Sequence, residues 1–199
     1  MRLFPLLVGV VVSSPLALAD EAAAARALEE AEITVKRNLV AAGEPVEEVD
    51  MANRAQIPDK LLKLLAEFPK LEAVDFRSSG VTDEGLAHLK GLKGLRRLYL
   101  GRTDVTDEGL KHIAGLTGLE SLILSESKVT DAGLKQVAGL KKLTNLEISG
   151  TAVTDAGLKE LKELKALTTL FANRTKVTDK GVKAFKAAVP KCEVRFSKG

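Results

Sequence analysis

Few side chains in this sequence are of types that could do chemistry. Two histidines, His88 and His112, lie 24 residues apart. Side by side they would offer two imidazoles to a metal ion, but a tetrahedral site needs further ligands. One interval later the same position holds Gln136, and no Cys completes a set. Asp59, Asp83, Asp107, Asp131, Asp155 and Asp179 recur at the same interval. Such a ladder of carboxylates suggests calcium, yet the Gly-Gly-x-Gly-x-Asp pattern that folds around calcium in β-helices is absent. Nucleophilic catalysis requires a Ser or Cys with a base in reach and a third group to orient it. The single cysteine, Cys192, falls in a terminal strand segment, whereas both histidines fall in helical ones. No G-x-S-x-G, phosphate-cradling glycine loop or H-E-x-x-H run occurs. These readings predict no catalytic residue, metal or cofactor, and therefore not an enzyme.

The intervals themselves define the elements. Val81-Thr82-Asp83 recurs at Val105, Val129, Val153 and Val177, always 24 residues on, and Gly85, Gly109, Gly133, Gly157 and Gly181 follow in each copy. Between these signatures lies L-x-x-L-x-L: Leu95, Leu98, Leu100; Leu119, Leu122, Leu124; Leu143, Leu146, Ile148; with Leu71, Val74, Phe76 before and Leu167, Leu170, Ala172 after. The last two apolar residues of that motif are two apart and share one face of a short strand. In T-D-x-G-L-x-x-L the apolar spacing is three, which is helical. Each unit therefore reads as strand, turn and short helix, stable only when stacked on its neighbours. Thr at the helix start, with Asp beside it, is expected to cap the helix and suit its dipole. The recurring Gly is expected where neighbouring backbones approach too closely for a β-carbon. A degenerate copy begins at Ile57-Pro58-Asp59, and an N-terminal strand at Val46.

These units resemble leucine-rich repeats of the T-D-x-G-L kind found in exported bacterial proteins, and are similar to the cysteine-containing repeats of F-box proteins. The resemblance covers residues 46 to 197. Where those families carry Asn or Cys after the strand, this chain has Ser79, Thr103, Ser127, Thr151 and Thr175, whose hydroxyls are expected to bond backbone groups in the turn. The implied fold is an α/β solenoid, a horseshoe arc with about seven parallel strands on its concave face and short helices on its convex face.

In that architecture the residues between core leucines line the concave face. One column reads Asp50, Asp75, Tyr99, Ile123, Glu147, Phe171 and Arg195; Arg96 and Arg97 lie in two neighbouring columns, and Arg77, Arg102 and Arg174 follow the strands. The face is acidic at its start (Glu47, Glu48, Asp50, Glu72, Asp75) and basic in its middle. Tyr and Arg are enriched where binding energy concentrates at interfaces, so the expected partner-binding patch is Arg96, Arg97, Tyr99, Arg102, Ile123 and Phe171.

The ends differ from the repeats. After Arg2, Leu3 to Val12 is almost wholly apolar, and Ala17-Leu18-Ala19 fits a secretory cleavage site, so residues 1–19 read as a signal peptide. The apolar run is shorter than the roughly 20 residues that span a bilayer; no stable membrane span is expected after cleavage. Residues 20–45 read as a capping helix (20–32) and an edge segment beginning at Ile33-Thr34-Val35, with a turn at Gly43 and Pro45. Residues 46–199 form the repeat domain, closed by a strand at Val194 and Phe196 and guarded at its edge by Lys191. Thirty basic and 27 acidic residues leave a formal charge of only +3, which argues against a nucleic-acid partner. One cysteine cannot form an intrachain disulfide, so packing must hold the fold. The expectation is a periplasmic or extracellular protein-binding module. The alternative is a structural or cell-surface repeat protein that self-assembles or binds glycan.

Overall fold

The computed structural model describes residues 15–37 and 45–197, with side chains from residue 20 onward. The apolar run of the leader and the turn expected at Gly43 lie outside the described residues. Eight strands form one sheet in chain order: β1 (Thr34–Arg37), β2 (Val46–Asp50), β3 (Ala73–Asp75), β4 (Arg97–Tyr99), β5 (Ser121–Ile123), β6 (Asn145–Glu147), β7 (Thr169–Phe171) and β8 (Glu193–Arg195). The strands from β2 to β8 pair in parallel, as the repeats predict; β1 pairs antiparallel to β2. The helical layer comprises α1 (Pro15–Glu30), α2 (Asp59–Lys63), α3 (Asp107–Ile113), α4 (Asp131–Val137), α5 (Asp155–Glu160) and α6 (Asp179–Ala188), with a 3-10 turn at Gly85–Leu89. Strands stack about 4.8 Å apart, whereas packed helices need about 8–10 Å. The coil therefore bends with its sheet on the inner side.

The leucines of L-x-x-L-x-L and the Val of V-T-D fill the space between the layers. Leu95, Leu98, Leu100, Leu119, Leu122, Leu124 and Val105, Val129, Val153 are all fully buried. The hydroxyls of Thr103, Ser127, Thr151 and Thr175 donate to the carbonyls of Leu100, Leu124, Ile148 and Ala172 at 2.6–2.8 Å, as expected.

The V-T-D-x-G signature works differently from its sequence reading. Thr does cap its own helix: Thr106, Thr130 and Thr154 accept from the N–H groups of Glu108, Ala132 and Ala156. The Asp beside it serves the next repeat. Asp83 accepts from the N–H and hydroxyl of Thr106 at 2.8 and 2.6 Å, and Asp107, Asp131 and Asp155 repeat the contact on Thr130, Thr154 and Thr178. Asp131 also accepts from Gly157 N–H at 3.0 Å. The glycines leave room for this carboxylate and not for a neighbouring backbone. A β-carbon at Gly109, Gly133, Gly157 or Gly181 would fall on the Oδ1 oxygen of the preceding repeat's Asp.

At the N-terminal end α1 buries Ala24, Ala25 and Leu28 against the core. It begins at Pro15, passes the expected boundary after Ala19, and stops at Glu30 where a helix to residue 32 was expected. Its Glu21, only 6% exposed, accepts from the N–H of Val46 at 2.7 Å. In the degenerate repeat Pro58 occupies the cap position without a side-chain cap bond. Asp59 accordingly departs from the ladder and bonds Lys63 and His88. Among the described residues no helix is long and apolar enough to cross a membrane.

Two tests address the ladder. Replacing Asp131 with Ala strands the Thr154 and Gly157 N–H groups, and unfolding in urea should show a loss of about 1–3 kcal/mol. Gly157→Ala should cost a similar amount in the native background and clearly less in the Asp131→Ala background, because the atom it strikes is gone. Additive losses would reject the steric coupling. The Asp155 carboxyl lies below its ordinary value: burial pushes it up, but the N–H and hydroxyl of Thr178 outweigh that. A depressed carboxylate contributes stability above its unfolded value, near 3.9, and loses it as pH falls through the folded value. Asp155→Asn should therefore flatten the acid limb of the stability profile.

Candidate binding face

Parallel register lays the outward residues in rows across the sheet. Asp50, Asp75, Tyr99, Ile123, Glu147, Phe171 and Arg195 are directly paired neighbours, strand by strand. The column expected from the spacing is thus continuous. Tyr99, Ile123 and Phe171 are half-buried, with Glu147 between the last two.

The charged members are committed to one another. Arg96 reaches Glu120 at 2.7 Å and Glu72 at 3.3 Å on either side. Arg97 lies 3.9 Å from Glu48, which also holds Lys36. Arg77 grips Asp75 through Nε and Nη2 and places its guanidinium 5.3 Å from the Tyr99 ring. Asp75, although it points outward, is consequently only 4% exposed. At the far end Arg195 lies 5.3 Å from the Phe171 ring and bonds Glu193. The acidic start and basic middle read from the sequence are therefore interleaved ion pairs. Exposed pairs of this kind are individually worth little, but they occupy the arginine donors.

Beyond the strands the chain turns through the left-handed region at one recurring position. Ser78, Arg102, Glu126, Gly150 and Arg174 have φ between +53° and +72°. Each N–H there donates to a carbonyl of the next repeat, Gly101, Ser125, Ser149, Asn173 and Ser197 respectively, so hydrogen bonding continues past the sheet. Glu126 sits between Arg102 at 3.1 Å and Arg174 at 2.7 Å. Arg174 is two repeats away and reaches Glu126 across Gly150, which has no side chain to interfere. Bonds from Arg174, then the charge of Arg102, hold the Glu126 carboxyl below its ordinary value. Between this rim and the sheet runs a groove of about 730 Å³ lined by Tyr99, Ile123, Arg77, Arg102, Glu126 and Glu147 among others.

Of the six expected patch residues, Tyr99, Arg102 and Ile123 meet in this groove. Arg96 and Arg97 lie toward the opposite strand ends, and Phe171 stands beyond Glu147. The rim residues Glu126 and Arg174 add to the groove's charge, and no spacing rule reveals a pair 48 residues apart. The left-handed turn was visible only at Gly150.

The histidines are half-buried, and His88 Nε2 donates to the Asp59 carboxylate at 2.5 Å. Cys192 is 2% exposed, and burial pushes its thiol up to about 11.

A family model described as leucine-rich repeat matches residues 95–114 and 139–162. A leucine-rich-repeat protein of Leptospira interrogans superposes with a TM-score of 0.55 and 24% identity, over 71% of this chain and 34% of that one. The chain carries leucine-rich repeats and has the leucine-rich-repeat fold. An internalin of Listeria monocytogenes shares the leucine-rich-repeat fold with a TM-score of 0.57 and 18% identity, over 89% of this chain and 55% of the internalin. A pollen receptor kinase matches with a TM-score of 0.51 and 14% identity, over 81% and 76% of the two chains. This leucine-rich-repeat chain thus spans about a third to a half of the length of the first two. No curated protein sequence matches it significantly.

The buried thiol provides a check on the inner packing near β8. At pH 8 Cys192 should not react with a disulfide reagent in the native protein, and one equivalent should react in urea. Rapid native reaction would show that the last coil is open.

Proposed function

We propose that this chain is a non-enzymatic, exported protein-binding module, and that its partner docks on the sheet face along the rim groove. The observation that carries this reading is the Tyr99 and Ile123 pair. Both are half-buried side chains on adjacent strands, facing outward beside a groove whose polar wall is formed by the Arg102, Glu126 and Arg174 ion pairs. An aromatic anchor beside such a polar wall is the composition of an interface centre. The arginines contribute less than their number suggests, because each must leave a carboxylate to meet a partner. A face of eight short strands is small against the ~800 Å² per partner of a standard interface. The rim must therefore share the contact. Export rests on the leader sequence.

The test uses the partner recovered by cross-linking in the native exported fraction, with affinities then measured on purified components. Tyr99→Ala should weaken binding about tenfold or more, and Arg96→Ala on the opposite strand ends should change it by less than about threefold. Equal small effects from both would place the site off this face.

A further inference from the structure

Among the described residues no strand lies on the outer side of β8. Successive residues of a strand turn their N–H and C=O groups to opposite edges. Glu193 and Arg195 spend theirs on β7: Glu193 N–H donates to Thr168 O at 2.7 Å, and Arg195 O accepts from Ala172 N–H at 2.8 Å. The N–H and C=O of Val194 therefore point outward, into an unpaired edge. Such edges template pairing with another strand unless something blocks them.

The side chains along this edge say which strand fits. Cys192 is in the core, and Val194 and Phe196 pack partly buried against it, so an apolar stripe runs along the inner side. Glu193 and Arg195 stand exposed on the other side, at 62% and 58% of their side-chain area, paired with each other. The order Glu-Val-Arg reads as its own complement when reversed. If two copies meet antiparallel about Val194, Glu193 of one copy faces Arg195 of the other, twice over. Val194 faces Val194 and Cys192 faces Phe196, so the apolar stripe is continued. Lys191 faces Ser197, so no like charges meet. Sliding the pair by two residues either way sets Glu193 against Glu193 or Arg195 against Arg195. Sliding by one turns the apolar side outward. A single register survives.

We propose that β8 is a self-association edge, joining two copies of this chain antiparallel about Val194 into one continuous sheet. The reciprocal Val194 bonds, and Phe196 N–H to Cys192 carbonyl on each side, tie the strands. The exposed Lys183 and Lys186 of α6 oppose a close approach of the two helical layers, so the strands carry the contact and the dimer dissociates on dilution. This surface is distinct from the sheet-face groove, and both can be occupied together.

Sedimentation of the purified chain over a concentration series tests it. The native protein should show a monomer–dimer equilibrium. Glu193→Arg and Arg195→Glu, each turning two opposite-charge pairs into like-charge pairs, should each weaken it roughly tenfold. The double exchange E193R/R195E restores both pairs and should recover native dimerisation. Val194→Pro removes the outward N–H while leaving the bonds to β7, a position where an edge strand tolerates Pro, and should leave monomer. Urea midpoints confirm that each variant is folded. A native protein that stays monomeric at its highest soluble concentration, single inversions without effect, or a double exchange that fails to rescue would each overturn the proposal.

Discussion

Everything else in this molecule hangs on a carboxylate reaching from one repeat to the next. Hydrophobic stacking brings coils together but has no preferred offset along a smooth surface, since it is roughly proportional to area. The Asp-to-Thr contact supplies the offset. It is charge-assisted and two-pronged, and it meets the N-cap residue of the following helix, so each helix start is positioned by its predecessor. The glycine then becomes a requirement of that contact. With the helix starts held at one spacing, the strands fall into register and the outward rows follow.

The sheet face inherits its character from the same stacking. Because neighbours in a row are brought against one another, Arg96 pairs with both Glu72 and Glu120 across three repeats. A chain with many charges on its inner face thus presents few uncommitted ones. What remains distinctive are the half-buried apolar and aromatic groups, and the rim where left-handed turns lift Arg102, Glu126 and Arg174 into a clamp. Electrostatics here serve to hold the face in shape, so the proposed binding face offers a partner mainly shape and apolar contact.

The strand positions, the outward rows and the internal hydroxyl bonds were legible because each depends on a local motif repeated without insertion. The destination of Asp83 was not, because adjacency to Thr82 suggested its own helix while the donors it accepts from, the N–H and hydroxyl of Thr106, lie 23 residues on. The glycine reading failed for the same reason. Tyr99 and Ile123 could be placed side by side by counting. The groove could not, because it is made by turn conformations at Arg102 and Glu126, residue types that give no sign of a positive φ. The direction of β1 was also silent in sequence, since a four-residue strand reads the same either way.

That direction has a consequence for how such a protein can change in length. A repeat is added by tandem duplication, and the new coil must lie parallel to its neighbour and find an Asp or a Thr awaiting it. At β1 the polarity is reversed and α1 occupies the helical layer, so nothing on that side matches a duplicated unit. Between β3 and β7 every junction carries the same Asp-to-Thr contact. The array is therefore free, in evolutionary time, to gain or lose whole coils within its body while the β1 end stays fixed.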